Sequence, residues 1–129
     1  MKITAVLIVE AIEPCLAFWV DRLGFEKTVE VPEGDRLGFV ILQKDAAELM
    51  FQTRDSVAKD VPQMIPMLNG QGVGLFIEVP DFDDLLTRVA GLEVVMPERT
   101  AFYGMKEIVV REPGGFAVCF ASRVEGANA

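Results

Sequence analysis

Glu107 is the residue of this 129-residue chain whose type and surroundings best suit chemistry. It lies among apolar residues in a segment with the composition of a β-strand. A carboxylate in such a place can hold a cationic or hydroxyl-bearing ligand, or serve as a general acid or base. The sequence is equally compatible with a structural role, in which Glu107 pairs with an arginine or lysine on a neighbouring strand.

The residues that usually form nucleophiles and metal sites are scarce. The chain contains no histidine, so a Ser-His or Cys-His nucleophile cannot form within one chain. Cys15 and Cys119 lie far apart in apolar contexts, and there is no C-x-x-C motif. A reactive thiolate also needs a nearby positive charge. We therefore predict two free thiols, with Cys119 unreactive.

Several other side chains have the character of a ligand-binding surface. Aromatic rings can stack on a planar ligand, and methionine adapts to irregular apolar shapes. The candidate ligand contacts are Val6, Phe39, Met50, Phe76, Tyr103, Glu107 and Cys119. Core packing is the favoured alternative for Phe39, and we predict a core position for Trp19. Tyr103 falls in a predicted loop, which favours a contact with ligand.

The elements that carry these residues are predicted to occur twice. Each half begins with an apolar strand, followed by an acidic break containing proline, a helix and a region rich in strands. The two copies are offset by about 70 residues. This repeat predicts an α+β fold of two βαβββ modules, over about 3–53 and 73–122, within a single domain spanning 1–129. A connector over about 54–72 joins them.

The element boundaries follow from apolar periodicity and from proline, glycine and capping residues. The first module is predicted to have strands over 3–10, 25–31, 37–42 and 47–52, with a helix over 14–23 that ends at Gly24. The second is predicted to have strands over 73–79, 92–96, 106–111 and 116–121, a helix over 85–90 and a loop over 97–104. Asp81 is the predicted N-cap of the second helix. The connector is predicted to hold no strand and one helical turn after Ser56.

Alternation along the first and last strands of each module predicts two different sheet faces. One parity is strongly apolar and is assigned to the helices, whereas the other mixes apolar and polar residues. A mixed face suits the lining of a cavity, which two copies of an open sheet could enclose. An ordinary half-exposed sheet face is the alternative.

The net charge of −8 bears on the class of partner. It disfavours nucleic acid, which binds clustered lysine and arginine, and mildly favours a cationic ligand, although solubility alone explains it. There is no run of 18 apolar residues and no signal-peptide pattern at the N-terminus. We therefore expect a cytoplasmic protein that does not bind a membrane.

Two motifs resemble the signatures of the vicinal oxygen chelate superfamily, which includes glyoxalase I, bleomycin-resistance proteins and extradiol dioxygenases. The first is Phe18-Trp19 followed by Leu23-Gly24-Phe25, and the second is Tyr103-Gly104-Met105-Lys106-Glu107 followed by Arg111-Glu112-Pro113-Gly114-Gly115-Phe116. The resemblance covers nearly the whole chain. It implies two βαβββ modules that form a concave, incompletely closed barrel-like sheet.

The resemblance also implies where a metal would bind. Metal-dependent members take one ligand from the first and one from the last strand of each module, and those positions here are Thr4, Met50, Gly74 and Cys119. This is not a ligand set for a divalent ion, so no metal or other cofactor is expected.

The implied function is therefore that of the metal-free bleomycin-resistance branch. The resemblance to this branch implies a homodimer that binds a small molecule without metal-dependent catalysis. The ligand would be an antibiotic or another cationic or aromatic compound. The alternative is a lyase or isomerase, or a dioxygenase-related enzyme, with a non-standard site that uses Glu107 or a metal bound by carboxylates.

Overall fold

The computed structural model describes residues 2–68 and 73–124. The chain divides into two compact units between Gln71 and Gly72. The described residues of each unit form one four-stranded sheet, and neither sheet is closed. The predicted α+β fold of two βαβββ modules is confirmed.

The first module begins with strand β1 (Ala5–Val9) and helix α1 (Glu13–Leu16), which continues as a π-helical segment (Ala17–Arg22). Strands β2 (Glu26–Glu33), β3 (Arg36–Lys44) and β4 (Ala47–Thr53) follow. The strand order is β1-β4-β3-β2, with β1 parallel to β4 and the other pairs antiparallel. The strand predicted over 25–31 therefore extends to Glu33.

The π-helical segment changes which residues of the first helix reach the core. The backbone N–H of Leu23 donates to the carbonyl of Phe18, five residues earlier, at 3.1 Å. A 3.6-residue period over the predicted helix puts Leu16, Trp19, Val20 and Leu23 on one apolar face. In the structure Phe18 is buried beside Trp19, whereas Leu16 and Val20 are only half-buried. A regular 3.6-residue period therefore predicts the helix correctly but places part of its apolar face wrongly.

Trp19 is a core residue of the first module, as predicted. It is fully buried and makes edge contacts with the rings of Phe18 (5.1 Å between centroids) and Phe25 (5.4 Å). It also lies 6.0 Å from the ring of Phe51 on β4. This helical region therefore packs on the sheet face that buries Phe51, and it leaves the opposite face of the sheet open.

The connector is more helical than predicted. It forms helix α2 (Arg54–Asp60) and a 3₁₀ helix (Pro62–Met67). The hydroxyl of Thr53 caps α2 by accepting the backbone N–H of Ser56 at 3.1 Å, and Val57 is buried. The prediction of one helical turn is therefore too short, because Thr53 already begins a capped helix.

The second module consists of strand β5 (Gly74–Glu78), helix α3 (Phe82–Arg88) and strands β6 (Val94–Thr100), β7 (Met105–Arg111) and β8 (Ala117–Arg123). The strand order β5-β8-β7-β6 repeats that of the first module. The predicted N-cap is confirmed, since the carboxylate of Asp81 accepts the backbone N–H of Asp84 at 3.0 Å. The last strand runs two residues beyond its predicted end at 121, to Arg123.

The loop predicted over 97–104 is wrong in its first half. Strand β6 continues through Pro97 to Thr100, and the chain then turns over 101–104. Proline is tolerated here because β6 is an edge strand, and its ladder with β7 is irregular on both sides of Met96. Gly104, with φ +83°, closes the turn by donating its N–H to Ala101 at 3.0 Å. The longer strand places Arg99 directly opposite Glu107.

The turn between β7 and β8 is built around a buried carboxylate. Glu112 is 1% exposed and accepts the backbone N–H of Phe116 at 3.1 Å. The backbone N–H of Gly115, which has φ +95°, donates to the carbonyl of Glu112 at 2.9 Å. This tight turn joins the strands predicted over 106–111 and 116–121, and it fixes the register of the two central strands of the sheet.

Candidate functional site

In the first module, the open face of the sheet is the one opposite the Trp19 core, and it carries three of the predicted contact residues. Val6 pairs with Met50 in the parallel ladder, and the same row continues across β3. Phe39 lies in the adjacent row, opposite Gln52. Val6 is exposed, whereas Phe39 and Met50 are half-buried. The rows on this face therefore combine apolar side chains with the polar Gln52, which is the mixture that the alternation predicted.

The other four predicted contacts come together in the second module. Phe76 pairs with Cys119, and Cys119 pairs with Val109, in one row across β5, β8 and β7. Glu107 lies in the next row, opposite Ala121, on the same face. Tyr103, from the turn between β6 and β7, reaches this face through its hydroxyl, which hydrogen-bonds to Glu107.

Glu107 is the centre of a hydrogen-bonded group. The residue is 1% exposed, and its Oε1 accepts from Nε and Nη2 of Arg99 at 3.1 and 3.0 Å. Its Oε2 accepts from the hydroxyl of Tyr103. We call Arg99, Tyr103 and Glu107 the Glu107 cluster. A buried carboxylate is costly unless it is paired, so these two donors compensate it.

The electrostatics of the cluster keep both donors protonated. The hydrogen bond to Glu107 raises the pKa of Tyr103, and the loss of hydration raises it further. The hydrogen bonds to Glu107 also raise the pKa of Arg99. Arg99 therefore stays a cation and Tyr103 a neutral donor at neutral pH, so that the positive charge of Arg99 offsets the negative charge of Glu107.

Cys119 lies beside the cluster as a half-buried free thiol. Burial raises its pKa, and the negative charge of Glu107 raises it further. Cys119 is thus a protonated thiol at neutral pH. The prediction of an unreactive thiol assumed that no positive charge lies nearby. Arg99 does lower the pKa of Cys119, but burial and the charge of Glu107 outweigh it.

Arg99 and Phe102 were not among the candidate site residues. Phe102 is fully exposed, and its ring lies edge-on to that of Tyr103 at 5.1 Å between centroids. Arg99 was missed because Pro97 was interpreted as the start of a loop. A hairpin that turns at 101–104 would have placed Arg99 opposite Glu107 from the sequence alone.

A family model of the glyoxalase/bleomycin resistance protein/dioxygenase superfamily matches residues 3–120. The chain belongs to this superfamily. The match extends over both modules and includes the two motifs on which the predicted resemblance was based. No curated protein sequence matches the chain.

Solved structures of the superfamily share this fold at low sequence identity. A glyoxalase/bleomycin resistance protein/dioxygenase from Nocardioides has 18% identity and a TM-score of 0.74, over 99% of this chain and 87% of the other. A lactoylglutathione lyase from Agrobacterium tumefaciens has 19% identity and a TM-score of 0.73, over 95% and 92%. A bleomycin-binding protein from Streptomyces verticillus, complexed with copper(II)-bleomycin, has 23% identity and a TM-score of 0.58, over 96% and 95%.

The positions at which metal-dependent superfamily members were expected to hold their ion do not fit a divalent metal here. Gly74 has no side chain, Met50 offers a thioether, and Cys119 is a single thiol that cannot form a site alone. The hydroxyl of Thr4 donates to Glu48 at 2.9 Å. Within residues 2–68 and 73–124, no group of three or more His, Cys, Asp or Glu side chains could hold a metal ion.

Proposed function

We propose that this superfamily member is a metal-independent binding protein that sequesters a small, partly aromatic molecule. The observation that carries this proposal is the chemistry at the four expected metal positions, which offer no set of ionised or imidazole donors. The similarity in fold to a bleomycin-binding protein supports the same class of function.

The open faces support an aromatic ligand better than a purely cationic one. Phe76 and Tyr103 are both exposed large rings in the second module, and Val6 is an exposed apolar side chain in the first. Such rings offer stacking area at low entropic cost. The carboxylate that would attract a cation, Glu107, is already paired with Arg99. Attraction of a cationic antibiotic therefore depends on the acidic surface as a whole rather than on Glu107.

The Glu107 cluster also favours binding over catalysis. A general base needs an oxygen that can accept a proton from the substrate. Both oxygens of Glu107 already accept hydrogen bonds, from Arg99 and from Tyr103. The enzyme alternative would require this cluster to open before any proton transfer, and so it has less support.

We also propose that the protein is a cytoplasmic homodimer, as the resemblance to bleomycin-resistance proteins implies. In the part of the chain that the structure describes, no helix is long and apolar enough to cross a membrane. Size-exclusion chromatography with light scattering tests the dimer. A mass near 14.2 kDa at micromolar concentration would contradict it.

Calorimetric titration tests the proposed function. Chelator-treated protein would be titrated with glycopeptide antibiotics and with planar aromatic compounds that are cationic, neutral or anionic. We expect saturable binding of at least one aromatic compound, weakened by Phe76→Ala. Ile3→Ala is the matched control, because it removes an exposed apolar side chain that lies outside both sheets. Absence of binding across the panel would contradict the proposal.

A further inference from the structure

Arg99 is the charged member of the Glu107 cluster that a ligand can reach. Its side chain is 54% exposed, whereas that of Glu107 is 2% exposed. Nε and Nη2 are engaged with Oε1 of Glu107. Arg99 also hydrogen-bonds to Tyr103, and a guanidinium has five N–H donors in all. The guanidinium therefore keeps charged N–H donors available at the surface.

The buried carboxylate of Glu107 holds this exposed guanidinium in place. The two hydrogen bonds from Arg99 share one buried oxygen, and the opposite oxygen is held by Tyr103. A fixed guanidinium loses less side-chain entropy on binding than a free one, and its planar fork matches a carboxylate or a similar planar oxyanion. The arrangement is thus preorganised for a planar acceptor.

The charges around Arg99 favour an anion at this end of the sheet. Arg123 lies on the same face one row further on, opposite Met105, and is exposed, with no ion pair inside the described ranges. Two exposed carboxylates lie farther away: Glu78 is on β5, beyond β8 as seen from Glu107, and Glu93 is paired with Arg111. The end of the sheet near the β6–β7 turn therefore exposes two guanidinium groups, those of Arg99 and Arg123. The nearby carboxylate of Glu107 is buried and already paired.

The ring of Tyr103 lies beside this guanidinium, and the ring of Phe102 lies against Tyr103. Tyr103 is anchored by its hydroxyl on Glu107, and Phe102 is 100% exposed, with its ring edge-on to Tyr103 at 84°. A fully exposed phenylalanine gains nothing from burial within the chain, and its face is open for stacking. An aromatic surface and a fixed cation thus occur within one turn and its two flanking strands.

We propose that Arg99, Phe102 and Tyr103 select planar aromatic ligands that carry a carboxylate or a comparable planar oxyanion. The oxyanion binds the guanidinium of Arg99 and the ring of the ligand stacks on the turn. This preference rests on the proposed function of binding a small molecule, and it specifies the chemical class of that molecule. It predicts a preference for anionic aromatic compounds over cationic ones, although the chain as a whole is acidic.

Three probes with one ring system and three charges test the proposal: naphthoate, naphthamide and naphthylmethylammonium, in one ring isomer. NMR spectra of the backbone amides and of the arginine Nε–H groups report weak binding and its location. We expect naphthoate to bind about tenfold more tightly than naphthamide, equivalent to about 1.4 kcal/mol. The largest shifts should occur at Arg99, Phe102 and Tyr103, and the ammonium probe should bind most weakly.

A paired substitution separates the role of Arg99 in binding from its role in stability. Removing Arg99 alone would leave Glu107 buried and unpaired, which can unfold the protein. Arg99→Gln with Glu107→Gln keeps a hydrogen-bonded pair and removes both charges. The matched control is Arg111→Gln with Glu93→Gln, a surface pair of 2.9 Å that joins β7 to the residue before β6. The preference for naphthoate should vanish in the first variant and persist in the second.

Each result has a distinct meaning. Equal binding of the three probes to the unaltered protein, or a preference that survives the Arg99 and Glu107 substitutions, would overturn this selection and leave the proposed function standing. Failure of all three probes would also overturn the selection, and the antibiotic panel would then decide the proposed function separately.

Discussion

At the scale of single residues, the sequence allowed Glu107 either to contact a ligand or to pair with a neighbouring cation. In the structure Glu107 is buried and paired with Arg99. Its position and its proximity to Tyr103 could be predicted from the residues around it. Its partner Arg99 could not, because the irregular ladder around Met96 hides the register of the hairpin. The exposed ring of Phe102 was missed for a different reason: an aromatic residue in a loop is normally expected to be at least partly covered.

The hydrogen bond between Tyr103 and Glu107 predicts a raised pKa for the phenol of Tyr103. Tyr103 is the sole tyrosine, so the ultraviolet absorbance of phenolate reports on it alone. We expect ionisation above the ordinary pKa of 10.0, because the phenol would lose its hydrogen bond to Glu107 and the phenolate would then face the negative charge of that carboxylate. Glu107→Gln should move the midpoint back toward 10.0. Asp83→Asn, which removes an exposed carboxylate on α3, should not. An unchanged midpoint in Glu107→Gln would show that the hydrogen bond does not form in solution.

At the scale of elements, local signals with a clear chemical cause predicted the structure best. The cap at Asp81 and the end of the first helix at Gly24 were predicted from residue type and position, and the structure confirms them. The errors fall where tertiary context overrides a local rule. Pro97 continues a strand because β6 lies at the edge of its sheet, where a residue without an N–H is tolerated. The helix after Thr53 is stabilised by the burial of Val57.

Helix α3 provides a quantitative test of the capping argument. Asp81→Ala removes the acceptor for the N–H of Asp84 and should lower the free energy of unfolding by about 1 kcal/mol. Asp83→Ala, in the same first turn, removes only the favourable charge of an exposed side chain and should cost less, about 0.3–0.5 kcal/mol. Urea denaturation followed by circular dichroism measures both. A larger loss for Asp83→Ala than for Asp81→Ala would refute the assigned cap.

At the scale of the whole molecule, the repeated βαβββ unit could be predicted because each copy repeats the same order of apolar and turn-forming segments. Family membership followed from short motifs at the first helix and at the β6–β7 and β7–β8 turns. The ligand could not be predicted in this way, since residues on an open sheet face can change without affecting the core. Function in such folds therefore has to be argued from individual side chains.

The acidic limit of stability is expected to depend on two carboxylates in the first module. Glu13 has a lowered pKa because it accepts the backbone N–H of Leu37 at 2.8 Å, and Glu48 because it accepts from Gln43, Lys2 and Thr4. A lowered pKa contributes stability that is present above the ordinary value of 4.5 and is lost as the pH falls. The free energy of unfolding should therefore decrease below about pH 5. Glu48→Gln should flatten this decrease, and an equally steep decrease in that variant would contradict the assignment.

The most direct test of metal-independent binding is one pair of calorimetric titrations. The panel compound that binds most tightly would be titrated into protein stripped by chelator and into the same preparation after addition of nickel, zinc, iron or manganese. Because Thr4, Met50, Gly74 and Cys119 offer no ligand set, we predict the same affinity and stoichiometry in both. Binding that occurs only after a metal is added, with one equivalent of metal retained per chain, would contradict the account.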